Sequence, residues 1–147
     1  MKYFRNTNDT PARLRYLIKE ISRRCGKQDD ELCNGIGLNV SESNVISSFG
    51  KKSEITSSEL ADNLDISNSR ITRIIDGLIE KKLVKRNYSS EDRRIINLTL
   101  SEKGIEKSRL LENKFCKCYE GITRKVNNKD LINIIESLEK LLKIMNN

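Results

Sequence analysis

A cluster of hydroxyl, amide and guanidinium side chains marks the start of a segment with helical periodicity. Its members are Ser67, Asn68, Ser69, Arg70, Thr72 and Arg73. Side chains of these types hydrogen-bond to phosphates and base edges, and Arg pairs bidentately with guanine. Because an exposed helix with no nucleic-acid partner can carry the same residues, the cluster alone leaves two interpretations open: contacts to DNA, or a solvated helix face.

The apolar residues of this segment have the spacing of one buried helix stripe. They follow the i, i+3, i+4, i+7 pattern and are Ile71, Ile74, Ile75 and Leu78. At 100° per residue, Ser69 and Arg73 then lie opposite the stripe, with Arg70 and Thr72 on its shoulders. The first two members of the cluster lie at the helix start, where we expect them to cap the helix or to contact phosphate.

A basic hairpin is predicted to follow this helix. Residues 83–86 indicate a short strand, residues 87–92 a polar turn, and the alternating apolar side chains of residues 95–100 a half-buried second strand. Its candidate DNA contacts are Lys85, Arg86, Asp92, Arg93 and Arg94. A narrow basic tip suits the minor groove, where negative potential attracts Arg, and Asp92 can orient a neighbouring Arg there.

The charge of the chain is unevenly distributed. The formal net charge is +7, yet residues 29–69 hold two basic and eight acidic side chains. Residues 70–94 hold eight basic and four acidic side chains, a net of +4. A basic block on the polar helix and the hairpin is the charge pattern expected of a phosphate-binding edge.

Shorter elements are predicted upstream of the polar helix. We expect a helix over about residues 41–49, a strand at Ile55–Thr56, and a short helix capped by Ser57 or Ser58. Residues 65–67 then form a turn, with Ser67 able to cap the next helix. Helix, turn, helix and hairpin, in that order, are the plan of a winged helix-turn-helix.

Helical patterns at both chain ends predict oligomerisation arms. One helix is expected from Thr10-Pro11 to Gly26, with a connection over residues 26–37, and Ser101 is expected to cap a long C-terminal helix. We interpret their apolar stripes as dimer contacts, the alternative being packing on the chain's own domain. The dimerisation candidates are Leu14, Leu17, Ile18, Leu131, Ile134, Ile135, Leu138, Leu141 and Leu142.

The predicted fold is mostly α with a small β hairpin. A winged helix-turn-helix head, over about residues 41–100, is flanked by N- and C-terminal dimerisation helices over about residues 10–26 and 101–147. Residues 1–147 are expected to form a single domain, since a chain of this length is enough for one core.

The head resembles the MarR family of bacterial regulators (multiple antibiotic resistance type). The matching stretches are LADNL, SNSRITRIIDGLIEKKLVKR and DRRIINLTLSEKG, with Asp92, Arg94, Leu100 and Gly104 at the family's spacing. The match covers about residues 45–104, and D-x-R followed by L-[TS]-x-x-G is more specific than a generic helix-turn-helix. Two departures from the family pattern are Lys82 in place of the usual Gly and Ser101 in place of the usual Thr.

The resemblance implies a homodimer whose first and last helices intertwine, with two winged heads on a pseudo-palindromic operator of double-stranded DNA. It further implies a transcriptional regulator, with repression as the expected role. Carried over by residue, Ser69, Arg70, Thr72 and Arg73 fall on the recognition helix, and Arg94 is the wing Arg that enters the minor groove. Family members commonly release DNA when a small aromatic acid, an oxidant or a metal binds, so a small-molecule effector is expected.

Four cysteines are the candidates for a sensor. Cys25, Cys33 and Cys116 are possible redox residues, the first two because they are expected beside or within a loop, whereas Cys118 falls on an apolar stripe and is expected in the core. Inert thiols, redox sensing and metal binding all remain open. The chain has no His, so a zinc site would need thiolates with carboxylates or water, and we predict no metal and no cofactor.

Other functional classes have little support in the sequence. The absence of His, of a Gly-rich phosphate loop and of metal-ligand spacing argues against an enzyme. A winged helix used only for protein interaction is the remaining alternative. No apolar run approaches the roughly 20 residues of a membrane span and the N-terminus lacks a signal-peptide core, so we expect a cytoplasmic protein without membrane contacts.

Overall fold

Helices dominate the computed structural model, which describes residues 10–88 and 96–146. Its elements are α1 (Thr10–Asn34), α2 (Val40–Ser48), β1 (Ile55–Thr56), α3 (Ser57–Leu64), α4 (Asn68–Glu80), β2 (Val84–Tyr88), β3 (Ile96–Leu100), α5 (Glu102–Thr123) and α6 (Asn128–Met145). The strands form one antiparallel sheet in the order β1-β3-β2. The predicted fold class, mostly α with a winged helix-turn-helix, is confirmed.

The chain divides into two compact units, one ending at Leu111 and one beginning at Glu112. The first holds α1–α4, the sheet and the start of α5, and the second holds the rest of α5 and α6. The prediction of a single domain over residues 1–147 stays a prediction. No helix among the described residues is long and apolar enough to cross a membrane.

The expected end of the first helix at Gly26 is wrong, because α1 continues through it to Asn34. A mid-helix Gly costs only about 1 kcal/mol relative to Ala, which the following turns can offset. Lys27 and Glu31 pair at 3.7 Å one turn apart, and Cys33 is fully buried. The chain turns only afterwards, at Gly37, whose positive φ of 76° suits a residue without a Cβ.

The core of the head is built from one face of each surrounding element. Side chains from α2, β1, α3, α4 and β3 are buried together, and the largest are Val45, Ile46, Phe49, Ile55, Leu60, Ile71, Ile75, Leu78 and Leu98. Ile74 differs from the prediction, because it is only half-buried. Three of the four apolar positions of α4 therefore anchor that helix, and its opposite face is left to solvent.

The predicted cap of α3 by Ser57 or Ser58 is wrong, since Thr56 occupies the N-cap position. The Glu59 amide donates to Thr56 Oγ1 at 3.2 Å, and the Thr56 amide donates back to the Glu59 carboxylate at 2.8 Å. This reciprocal capping box satisfies two amides at the helix start. The Thr56 amide and hydroxyl, together with Lys52, lower the pKa of Glu59 below its ordinary value.

The strands of the hairpin differ from their predicted limits. β2 begins at Val84 and runs to Tyr88. It includes Asn87 and Tyr88, which were expected in the turn, because they pair with Asn97 and Ile96 of β3. β3 begins at residue 96 and has Leu98 as its buried member. The rest of the predicted turn, from residue 89 to residue 92, lies outside the described residues.

A tight joint connects α4, β2 and the start of α5. Lys82 adopts a positive φ of 60°, as expected for a residue standing where the family has Gly. Ser101 Oγ donates to the Lys82 carbonyl at 2.7 Å and accepts from the Gly104 amide at 3.0 Å, so its predicted capping of α5 is confirmed. A Cβ on Gly104 would overlap the Leu83 carbonyl oxygen. The L-[TS]-x-x-G motif therefore has a steric explanation.

The C-terminal helical segment is divided into α5 and α6. Asn127 is the N-cap of α6, because its Oδ1 accepts from the Asp130 amide at 2.9 Å. Asn and Asp are favoured at this position, since their short side chains reach the free amides of the first turn.

Candidate nucleic-acid interface

The polar cluster is gathered on the exposed face of the N-terminal half of α4. All six of its members are exposed: Ser67, Asn68, Ser69, Arg70, Thr72 and Arg73. On the other side of the helix, Ile71, Ile75 and Leu78 are fully buried against the head. The fold thus holds α4 rigidly by its apolar face and presents the cluster outward.

The start of α4 differs from those of the other helices whose capping is described. Asn39, Thr56, Ser101 and Asn127 each accept a hydrogen bond from an amide in the first turn of α2, α3, α5 and α6. Ser67 makes no such bond, so its predicted capping role is not met; its Oγ lies 3.2 Å from Ser69 Oγ instead. The Arg70 amide instead donates to the Ser67 carbonyl at 3.0 Å, and no side chain among the described residues caps the positive dipole end of the helix, which favours an anion.

The remaining members of the cluster differ in the contacts that they already make within the protein. Thr72 Oγ1 donates to the Asn68 carbonyl at 2.8 Å, so it keeps only its acceptor capacity for a partner. Arg70 and Arg73 line an open cleft whose opposite walls include Asp30 of α1 and the start of α2. Near this cleft, burial and then repulsion by Asp30 raise the pKa of Asp29 above its ordinary value.

The two wing candidates within the described residues have different environments. Lys85 is exposed, whereas Arg86 turns toward α4 and donates from Nη2 to Asp76 Oδ1 at 2.8 Å. Sequence reasoning missed Asp76, although an acidic residue on the polar face of α4 was a signal that it needs a basic partner. The other wing candidates, Asp92, Arg93 and Arg94, lie outside the described residues.

A buried acidic residue that the sequence did not single out braces α4 from behind. Glu42 is nearly inaccessible, and its carboxylate accepts from Lys81 Nζ at 2.6 Å and from the Asn39 amide at 3.0 Å. Lys81 also donates to the Gly37 carbonyl at 3.2 Å. The end of α4 is thereby tied to the start of α2, which fixes the orientation of α4 within the head.

We expect Glu42→Ala to lower the free energy of unfolding by about 2–3 kcal/mol, since it removes both a capping interaction and a part-buried ion pair. The full penalty of a stranded buried charge does not apply, because Lys81 keeps 42% of its side chain exposed. Urea unfolding measures the change. Glu54→Ala, at an exposed acidic residue of the loop before β1, is the control and should change stability by less than about 0.5 kcal/mol. Equal midpoints for the two variants would contradict the bracing role.

The dimerisation candidates are exposed or half-buried in both units. In the first unit Leu14 and Leu17 are exposed and Ile18 is half-buried. In the second, four candidates on α6 are exposed and two are half-buried: Ile134, Ile135, Leu138 and Leu142, then Leu131 and Leu141. Contiguous exposed apolar patches of this kind mark interaction surfaces in proteins.

The positions of the cysteines agree only in part with the prediction. Cys25 lies within α1 and away from a loop, whereas Cys33 lies at the end of α1, beside the turn that follows Asn34, but is fully buried. Cys116 is exposed on α5, and Cys118 is half-buried instead of in the core. Within residues 10–88 and 96–146, no three His, Cys, Asp or Glu side chains are grouped to hold a metal ion.

Sequence comparisons agree with the geometry of the head. Residues 38–96 match the model of the MarR family. The transcriptional repressor MdtR of Bacillus subtilis is 31% identical over 68 residues, which are 46% of this chain and 44% of MdtR. The transcriptional regulator TcaR of Staphylococcus aureus is 26% identical over 128 residues, 86% of this chain and 84% of TcaR. The chain spans less than two thirds of the first curated relatives it matches: 44% of MdtR, 62% of YpoP and 48% of YhbI, all from B. subtilis.

Solved structures with the same fold include two that contain DNA. Streptococcus pneumoniae FabT in complex with DNA superposes with a TM-score of 0.81 at 21% identity, covering 92% of this chain and 96% of FabT. A cysteine-to-serine mutant of Escherichia coli MarR with operator DNA gives a TM-score of 0.77 at 19% identity, covering 93% of this chain and 99% of the mutant. At these identities the similarity shows the fold.

Proposed function

We propose that this chain is a member of the MarR family, whose model residues 38–96 match, and that it is a homodimeric, sequence-specific DNA-binding regulator of transcription. One observation carries the proposal: the exposed start of α4 has no side-chain cap and groups hydroxyl and guanidinium side chains on one face. Backbone amides and hydroxyls suit phosphates, and guanidinium groups suit guanine edges. The proposal assigns no catalytic activity to the chain.

α4 is the proposed recognition helix. Its 13 residues give a rod about 20 Å long, which fits the major groove of B-DNA. Arg70, Thr72, Arg73 and Ser69 then face base edges, while Ser67 and Asn68 at the helix start lie nearest the flanking phosphate. The burial of Ile71 and its neighbours on the other face supports this orientation, since only the polar side is free to enter the groove.

The wing is the proposed minor-groove element. Lys85 is exposed at its base, and Arg94, with Asp92 and Arg93, is assigned to its tip by the family resemblance. A basic wing beside a helix in the major groove can follow the backbone to the adjacent minor groove, where Arg is attracted by the negative potential. Binding through both grooves would make the affinity strongly dependent on salt.

The proposed partner of the apolar faces of α1 and α6 is a second copy of this chain. Each face carries several exposed large apolar side chains, which a monomer would leave in water. Two copies related by a twofold axis would place two α4 helices on a pseudo-palindromic operator. The chain would then be one domain whose terminal helices form the dimer and whose head reads DNA, acting in the cytoplasm.

We further propose that the regulator represses, and that a small molecule or oxidation of a thiol releases it from DNA. The similarity to MdtR, named a repressor, supports the first part. For the second, Cys116 is the best-exposed thiol and Cys25 is partly accessible, whereas burial disfavours Cys33. The salt dependence of binding distinguishes the rival function, a protein-interaction module. The affinity of a DNA-binding protein falls as salt is added, with a slope proportional to the number of phosphates it neutralises.

Arg73→Ala is expected to weaken operator binding by about 1–3 kcal/mol and to relax the base preference, if Arg73 makes a bidentate base contact. Fluorescence anisotropy on the preferred duplex and on single-base variants measures both effects. Arg124→Ala is the matched control, because Arg124 is exposed just beyond the end of α5 and pairs with Glu120, four residues before it. Unchanged affinity and preference in Arg73→Ala would show that α4 is docked incorrectly.

A further inference from the structure

An acidic side chain lies among the basic and hydroxyl groups on the exposed face of α4. Asp76 follows Arg73 by three residues and Thr72 by four, so all three lie on one side of the helix. Its side chain is 53% exposed. A carboxylate at this place would repel DNA phosphates unless a nearby cation neutralises it.

The partner of Asp76 is Arg86 of β2, at 2.8 Å from Nη2 to Oδ1. Lys85 and Arg86 are adjacent in the strand, so their side chains point to opposite faces. Lys85 is exposed, but the Arg86 side chain is only 28% exposed, and its buried Nε has no hydrogen-bond partner among residues 10–88 and 96–146. Arg86 is therefore folded against α4 and is not extended into solvent.

We propose that Asp76 and Arg86 are a positioning pair, which fixes the base of the wing against the recognition helix so that both engage one DNA site. The proposal rests on the proposed function, because it assumes that α4 and the wing bind DNA together. Asp76 acts through Arg86 and needs no contact with DNA. Arg86, first expected to contact DNA, is assigned to the protein instead.

Because of where the pair lies, we expect it to affect DNA affinity more than the free energy of unfolding. Part-exposed ion pairs contribute little to unfolding free energy, and the hydrophobic core already fixes α4 from its other side. The joint at Lys82 and Ser101 fixes where β2 begins, and the bond between Asp76 and Arg86 is a second tie between α4 and β2, two residues farther along the strand than Val84. The bond between Asp76 and Arg86 therefore limits how far β2 can shift relative to α4 in the protein without DNA.

The rival role for Arg86, a direct phosphate contact, makes opposite predictions. If Arg86 bound phosphate, Asp76→Asn would free it and remove a repulsive charge, so affinity would rise. Loss of Arg86 would also reduce the salt slope by about 0.9 per phosphate contact. If the pair positions the wing, Asp76→Asn weakens operator binding despite removing a negative charge, and the salt slope of the Arg86 variant is unchanged.

A double-mutant cycle tests this with full-length protein: wild type, Asp76→Asn, Arg86→Gln and both together. Affinities are measured for the selected operator and for a scrambled duplex over a range of salt. We expect each single variant to lose about three- to tenfold in operator affinity. The double variant should bind the operator at least as well as the more weakly binding of the two single variants, since the two residues act as one unit. Binding to the scrambled duplex should change less, which a general loss of folding would not produce.

Two controls separate the possible outcomes. Glu80→Gln removes an exposed acidic charge from the same helix and should leave operator affinity equal or slightly higher. Lys85→Met should reduce the salt slope, as expected of a phosphate contact. Additive losses in the cycle, or tighter binding by Asp76→Asn, would overturn the positioning role. If Arg86→Gln fails to fold, the isosteric Asp76→Asn variant still shows whether operator affinity falls, as the positioning role predicts, or rises. If wild type binds no duplex in a salt-dependent way, the proposed function fails as well.

Discussion

Removal of α6, by ending the chain at residue 127, is expected to give a monomer that binds the operator about 10²–10⁴-fold more weakly, the factor by which linking two binding modules raises affinity. The reason lies in the exposed apolar residues of α6, with Ile134, Ile135, Leu138 and Leu142 as the main contributors. Without them, each head must bind its half-site alone. Light scattering coupled to gel filtration gives the oligomeric state, and anisotropy gives the affinity.

A point variant guards against simple misfolding of the truncated chain. Leu138→Glu inserts a charge into the apolar face of α6 and should also give a monomer, whereas Glu139→Gln, at an exposed polar position beside it, should remain a dimer. The head should keep its thermal transition in both point variants, because its core holds no residue of α6. A stable dimer of the truncated chain would place the interface elsewhere.

Gly104→Ala is the second change with a large expected effect, a loss of about 3 kcal/mol or more in unfolding free energy, at the upper end of overpacking costs. The added methyl group would overlap the Leu83 carbonyl oxygen and would lie 3.0 Å from the Leu83 carbonyl carbon. Neither can move freely, because Leu83 is buried and its carbonyl accepts from the Ser101 amide. Thermal or urea unfolding measures the loss.

Gly121→Ala is the matched control, since Gly121 lies in the same helix and a Cβ added there would have nothing within 4 Å. Replacing a solvent-facing helical Gly should stabilise by up to about 1 kcal/mol, the difference in helix propensity. Opposite signs for the two substitutions are therefore expected. Equal effects would mean that the close approach of α5 to β2 is not a constraint on stability.

The order of elements could be predicted from the sequence because short-range signals carry it. The 3.6-residue repeat of Ile71, Ile75 and Leu78, and the alternation around Leu98, each report one buried face. Element ends were less predictable, since tertiary contacts decide them. Gly26 is a residue type that commonly ends helices, but α1 continues past it to Asn34. Cys33 is buried near that end, and this burial stabilises the additional turns.

The candidate site was predictable in its residue types and not in its pairings. Arg70 and Arg73 are exposed on α4 as the helical geometry implies. The contacts of Arg86 with Asp76 and of Lys81 with Glu42 join residues 10 and 39 positions apart. No local pattern predicts such contacts, because they depend on how the sheet and α2 pack against α4.

The most direct test of the central claim, that α4 reads DNA sequence, is selection of binding sites by the full-length protein from random duplexes. We expect enrichment of an inverted repeat whose half-sites are separated by about one helical turn, or a multiple of it, as for dimeric helix-turn-helix proteins. Repeating the selection with Arg73→Ala should yield a repeat with one position of each half-site relaxed. Recovery of duplexes with no common sequence by the wild-type protein would contradict the claim.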